Sequence, residues 1–268
     1  MAIEDCIASA SPVDWSRLPV LLCVAEKDRP GRMAGIDDRL LTGIADELGI
    51  ALGGPSTLIR HGRIGIAVAL MHSRDLIYRH GIDRVLIVAT DSLVTRRTIA
   101  HHERRDRLLR PSNSNGFVPG EGASAFLIGK PSGQRELVCT GIGLGIESAH
   151  IDSGQPLRGD GLVQAHKAAL AECGRSMDDI DCRVTDLSGE HYYFREAHFA
   201  FGRLRRSAGD PQLWHPAECI GMSGAALGGA CLAVARASIE RGYAPGDTLL
   251  LHFSEDDGRR ASIVCIRD

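Results

Sequence analysis

Apolar residues recur along the chain in two rhythms, and the alternation between them predicts most of the architecture. Residues 19–25 (Pro-Val-Leu-Leu-Cys-Val-Ala) and 84–89 (Arg-Val-Leu-Ile-Val-Ala) form continuous apolar runs of strand length, as expected for strands buried on both faces. Residues 37–48 and 64–79 instead carry apolar side chains at helical spacing. The first run stops before Gly49 and the second before His80-Gly81. Residues 2–10 read as the end of a helix. The stretch 95–115 is polar and charged without a clear period and reads as a long excursion. A strand over 123–128 follows Gly120-Glu121-Gly122, and another runs over 137–145. Helical patterns at 160–173, 189–205 and 223–241 alternate with short strands near 181–186, 247–253 and 260–267. The resulting order is β-α-β-α-β-β and then β-α-β-α-β-α-β-β, which predicts a largely parallel α/β protein whose second half repeats the element order of the first. No sequence repeat accompanies it, so the duplication is one of architecture only.

Composition narrows the function classes. The chain has 268 residues, of which 44% are hydrophobic and 4% aromatic, with 31 glycines. That suits a globular protein whose helices pack closely on sheets rather than a surface for stacking nucleobases. A formal net charge of -3 gives no reason to expect nucleic acid or a membrane as partner. No apolar run reaches the length of a membrane span, and the start Met-Ala-Ile-Glu-Asp-Cys lacks a secretory pattern, so the expected location is the cytoplasm. Eight cysteines are scattered without a C-x-x-C pair. They read as small buried hydrophobes in a reducing compartment, with no zinc ribbon or redox motif. No cofactor is implied.

The string Asn115-Gly116-Phe117-Val118-Pro119-Gly120-Glu121-Gly122-Ala123-Ser124-Ala125 resembles the G-F-V-x-G-E-G-A signature of the β-ketoacyl synthases, the condensing enzymes of fatty-acid and polyketide synthesis. Three further stretches fall in that family's order and spacing. They are 78–92, Asp179-Ile180-Asp181-Cys182, and Ile220-Gly221-Met222-Ser223-Gly224-Ala225-Ala226-Leu227-Gly228-Gly229-Ala230, the last similar to I-G-H-x-x-G-A-A-G. The resemblance implies a thiolase-like layered fold of two similar βαβαβαββ halves, residues 1–131 and 132–268. The first half lacks its first strand and most of its first helix. A truncation, a misassigned start or a real loss would each leave that pattern.

The resemblance also locates the chemistry. A condensing enzyme needs a cysteine nucleophile at a helix start, where the helix N-terminus stabilises the thiolate. Counted back from the Gly81 turn, that start falls at Arg63, within Ile59-Arg60-His61-Gly62-Arg63-Ile64. A cation at a helix N-terminus is electrostatically unfavourable. Ser56 and Thr57 lie just upstream as the nearest substitute nucleophiles. The two histidines of the family fall on Asp186, in Asp186-Leu187-Ser188-Gly189-Glu190, and on Met222. A carboxylate would repel an oxyanion, and a thioether donates no hydrogen bond. The late G-F-G-G-T-N loop corresponds to Phe253-Ser254-Glu255-Asp256-Asp257-Gly258-Arg259-Arg260. Scaffold glycines persist while the reactive groups are replaced, which argues for a retained fold with abandoned condensation chemistry.

Other features carry less. Arg96, Arg97, His101, His102, Arg104, Arg105 and Arg107 form a basic excursion that reads either as a solvated face or as a docking surface for an acidic partner such as an acyl carrier protein or a secreted cargo protein. His191, Glu196 and His198 read as ordinary residues of an amphipathic helix. Gly141-x-Gly143-x-Gly145 lacks the lysine and helix of a phosphate loop. Degenerate ketosynthase-like proteins occur among type VI secretion genes, so the resemblance implies an adaptor or co-chaperone for a secretion effector, with the effector or its chaperone as partner. The alternatives are an acyltransferase with relocated chemistry and a noncatalytic partner subunit of an active ketosynthase. Thiolase-fold proteins are commonly dimers, which makes a homodimer a further expectation.

Overall fold

A computed structural model describes residues 1–8, 10 and 13–268 of the chain. The first half contains α1 (Ala2–Ala8), β1 (Val20–Val24), α2 (Ile36–Leu48), β2 (Thr57–Arg60), α3 (Gly65–Tyr78), β3 (Arg84–Ser92), α4 (Arg96–Arg104) and β4 (Glu121–Gly129). The second contains β5 (Leu137–Ile146), α5 (Asp160–Cys173), β6 (Cys182–Thr185), α6 (His191–Leu204), β7 (Gln212–Trp214), α7 (Ala217–Ile220), α8 (Ala225–Glu240), β8 (Thr248–Ser254) and β9 (Arg259–Arg267). The strands form two mixed sheets, in the orders β2-β1-β3-β4 and β5-β9-β8-β6-β7. Superposed by order, β4 matches β9 and β3 matches β8. The first sheet therefore has no counterpart of β5 among the described residues, in line with the expected loss of one strand.

The apolar runs follow from where these sheets lie. Along β1, Leu21 and Cys23 point into the central core shared by both halves, while Val20, Leu22 and Val24 point into an outer cluster beneath α1 and α2. The same division separates Val85, Ile87 and Ala89 from Leu86 and Val88 on β3. A strand with core on both faces cannot alternate apolar with polar, so its sequence is continuously apolar. Helices α3 and α8 form the middle layer and contribute Ile66, Leu70, Ile77, Cys231, Leu232 and Ile239 to the shared core. They cross closely: a Cβ on Gly228 would stand 2.8 Å from Ile66 Cγ2. Helices α5 and α6 cover the outer face of the second sheet. The layers are thus helix, sheet, helix, sheet, helix.

Three features depart from the sequence reading. The polar excursion 95–115 contains α4, whose N-cap Thr95 accepts a hydrogen bond from the Thr98 amide at 3.2 Å. The glycines of β5 serve packing: a Cβ on Gly141, Gly143 or Gly145 would collide with a carbonyl oxygen of Ala169, Ala165 or Gly161 on α5. Glu196 is fully buried and ion-paired to Arg260 rather than lying on an amphipathic surface.

Candidate functional site

A cleft of about 740 Å³ opens at the start of α3 and is bounded by the 26–30 and 255–259 loops, α4 and its following turn, and Phe117 and Met222. Gly62 sets its floor. It has φ 54°, in the left-handed region, and any Cβ there would collide with a carboxylate oxygen of Glu255. That vacancy lets Glu255 Oε2 accept a hydrogen bond from the Arg63 amide at 2.7 Å. An acidic side chain thus takes one of the unpaired amides at the helix start and complements its positive end.

The Arg63 side chain is only 5% exposed. Its Nη2 donates to Asp256 Oδ1 at 2.5 Å and to the Tyr193 hydroxyl at 2.9 Å, and its guanidinium lies 4.7 Å from the Tyr193 ring centre. Asp186 Oδ2 stands 3.7 Å from Nη1 and Glu255 Oε1 3.6 Å from Nε. A second arginine joins the same acid. Arg107, 8% exposed, pairs in bidentate fashion with Glu190 at 2.7 and 2.9 Å and with Asp256 at 2.5 and 3.2 Å. Behind them Arg260 pairs with Glu196 at 2.7 Å, and Ser254 Oγ donates to Glu196 at 3.0 Å. These buried charges are paired and hydrogen-bonded, the condition under which burial is tolerated.

The acids in this network sit in unequal environments. Half-buried Asp256 is held far below the usual carboxylate range by Arg63 and Arg107, against the effect of desolvation. Burial pushes Asp186 up to about 6 against the opposing pull of Arg63, while its Oδ2 accepts from the Ser254 amide at 2.9 Å. Burial, and then the neighbouring Glu255, pushes Glu26 up to about 8. His102 packs edge-on to Phe117, with ring centres 5.0 Å apart, and burial lowers it to about 4.

The cleft contains no activated nucleophile among the described residues. No cysteine lines it. Cys231, on α8, is buried, donates to the Thr185 carbonyl at 3.3 Å and is pushed far up by burial. The Tyr193 hydroxyl donates to Asp256. That carboxylate is already neutralised by two guanidiniums and is a weak base, and burial raises the phenol well above its ordinary value. Ser56 Oγ donates to the Gly53 carbonyl at 2.8 Å and accepts from the Val20 amide at 2.9 Å, a turn-holding role outside the cleft, and Thr57 begins β2.

Arg63 and Met222 line the cleft, and Asp186 stands beside Arg63. The basic excursion does not hold together as one surface. Arg96, Arg97, Arg104 and Arg105 are exposed, and His101 is half-buried. Arg107 and His102 are buried, because the first completes the ion network and the second packs on Phe117. Glu190, Tyr193 and Arg260 were not singled out by sequence, and Glu196 was read as an ordinary residue of an amphipathic helix. Only the acidic run at 255–257 signalled that charge gathers here.

No family model and no curated protein matches the chain. Solved structures do. It is similar to the ishigamide ketosynthase/chain length factor, with a TM-score of 0.68 and 19% identity over 96% of this chain and 75% of that one. A ketosynthase in complex with its chain length factor from Xenorhabdus doucetiae gives 0.69 and 13%, covering 99% and 77%. A type II acyl-carrier protein complex with its ketosynthase bound to the hexaketide gives 0.78 and 16%, covering 99% and 82%. The chain therefore has the thiolase-like ketosynthase fold. Among the described residues no helix is long and apolar enough to cross a membrane.

Proposed function

We propose that this is a noncatalytic ketosynthase-like protein that acts by binding a protein partner. The observation that carries the proposal is the pairing of Arg63 and Arg107 with Asp256 and Glu190 on the cleft floor. In this reading Arg63, Asp186 and Met222 occupy the three catalytic positions of the family, within halves 1–131 and 132–268. A guanidinium then stands where condensation needs a thiolate. The guanidinium donors of the floor are also already committed to carboxylates rather than free for an oxyanion. The test is intact-mass spectrometry after incubation with acyl-CoA and with an acyl carrier protein thioester. No acyl adduct is expected, and a stoichiometric adduct on any cleft residue would overturn the proposal in favour of an acyltransferase.

Two partners fit such a protein. The adaptor role for a type VI secretion effector or its chaperone rests on the sequence resemblance. The role of partner subunit is favoured by the solved neighbours, two of which are a ketosynthase with a chain length factor. Co-expression with a cysteine-containing ketosynthase, or with an effector and its chaperone, decides between them by which complex survives gel filtration. A chain that elutes alone in both mixtures would remove both roles.

A further inference from the structure

A groove along the C-terminal half of α3 carries two cysteines that face each other across strands. It has a volume of about 220 Å³ and is lined by Leu70, Ile77, Leu127 and Leu232 together with Cys139 and Cys265. Cys139 on β5 is the direct register partner of Cys265 on β9. The hydrogen-bond parity of this ladder follows from its end. The Asp268 amide donates to the Glu136 carbonyl at 3.1 Å, and opposed residues in an antiparallel pair alternate between bonded and non-bonded. Counting inward, 138/266 is a bonded pair, and 137/267 and 139/265 are non-bonded pairs. Non-bonded partners have Cα atoms about 4.5 Å apart with side chains closest, inside the range of about 4.4–6.8 Å that a disulfide spans.

We propose that Cys139 and Cys265 form an oxidation-sensitive dithiol that closes to a cross-strand disulfide and pins the edge strand β5 to β9. Both thiols are free in this structure, and the Cys265 thiol donates a hydrogen bond to Cys139. That bond, reinforced by burial, holds Cys265 protonated, while Cys139 is half-buried at the groove. The order of events follows. The Cys139 thiolate attacks one sulfur of a low-molecular-weight disulfide, such as oxidised glutathione, and releases one thiolate. Cys265 loses its proton to that thiolate, attacks the Cys139 sulfur and releases the second thiolate. The protein gives up two electrons and two protons, and the small disulfide is reduced to two thiols. The ladder is interrupted beside this pair, where the register shifts between Cys139 and Gly141. A sensing dithiol is also the form in which disulfides occur in a reducing compartment.

The experiment titrates the full chain through mixtures of oxidised and reduced glutathione and then counts thiols in denaturant. Of the eight cysteines, two should be lost together as a linked pair, apart from any that take up glutathione singly, and the melting temperature should rise and fall back with reductant. Peptide mapping should recover one linked pair containing residues 139 and 265. Cys139→Ser and Cys265→Ser should each abolish the linked pair while exposed Cys219 still takes up glutathione. If either variant fails to fold, the wild-type peptide map decides alone. A lasting glutathione adduct on Cys139 with Cys265 still reduced, a linkage through other cysteines, or Cys139 and Cys265 both still reduced under conditions that modify Cys219 would overturn the proposal.

Discussion

Arg63 shows how one buried charge organises a site. A cation at a helix start is unfavourable in isolation, yet here it is held by Asp256, Glu255 and Asp186 while Glu255 also caps the helix amide. Removing it leaves the buried Asp186 and Glu255 without their guanidinium, while half-buried Asp256 keeps only Arg107. Arg63→Met should therefore lower stability by about 3–5 kcal/mol in urea titration, far more than the loss of an exposed arginine such as Arg97. A loss under 1 kcal/mol would mean that the network is not coupled. Glu26 gives a prediction of pH dependence. Its folded carboxyl is raised from 4.5 to about 8, so the folded state holds a proton that the unfolded chain releases. The stability it contributes is present below pH 4.5 and is lost as pH rises through about 8. The slope is at most about 1.4 kcal/mol per pH unit. The stability of Glu26→Gln relative to the wild type should rise steadily from pH 4 to pH 8 and level off by pH 9, and parallel stability–pH curves would contradict the raised value. Arg63, Asp186 and Met222 could be picked out in the sequence because each lies at a fixed offset from a glycine landmark. The partners Glu190, Tyr193 and Arg260 were not, because a charge in a helical or strand pattern reads as solvated until the fold shows it buried.

At the scale of the element, glycine decides how close a helix can lie. Helix α5 rests on β5 because residues 141, 143 and 145 have no side chain on that face. Gly143→Ala would drive a Cβ against the Ala165 carbonyl and, at 2.9 Å, against Ala168 Cβ. It should cost about 1–3 kcal/mol by overpacking, seen as a lower urea midpoint. Gly202 in α6 has nothing within 4 Å of its missing Cβ, so Gly202→Ala should stabilise the same protein by about 0.5–1 kcal/mol through helix propensity. Opposite signs from the same chemical change would tie the glycine ladder to packing. Strands β1 and β3 and helices α3, α5 and α8 fall where apolar periodicity places them, since each buries a long uniform face. Helix α4 escaped because its sequence, Arg-Arg-Thr-Ile-Ala-His-His-Glu-Arg, buries only Thr98 and His102 and has too little apolar surface to set a period. The opposed cysteines escaped for a different reason. Strand register, fixed by contacts far apart in sequence, brings 139 and 265 together.

Across the whole molecule, the two halves share one core. Residues of α3 and α8 join both sheets in a single cluster that runs from Leu21 and Ile87 to Leu251 and Ile263. The backbone at the start of α3 and the side chain of Ile66 approach α8 at Gly228, and Ser124 of β4 fills the space above Gly229. The cleft network likewise joins the halves, because Arg63 and Arg107 belong to the first and Asp256 and Glu190 to the second. Neither half can unfold without exposing the inner face of the other. The missing counterpart of β5 removes cover at the rim of the first sheet and leaves this central layer intact. Unfolding should therefore be a single cooperative transition despite the two-sheet architecture. The chain offers a clean test, since its two tryptophans, Trp15 and Trp214, fall one in each half. Trp15 packs against the outer cluster of the first sheet, and Trp214 lies on β7 against the shared core. Single-tryptophan variants, Trp15→Phe and Trp214→Phe, report one half each. Once corrected for their own effect on stability by circular dichroism, their urea curves should have the same midpoint and slope. A first-half signal that melts at lower urea, before helix content falls, would show that the shortened half unfolds as an independent unit.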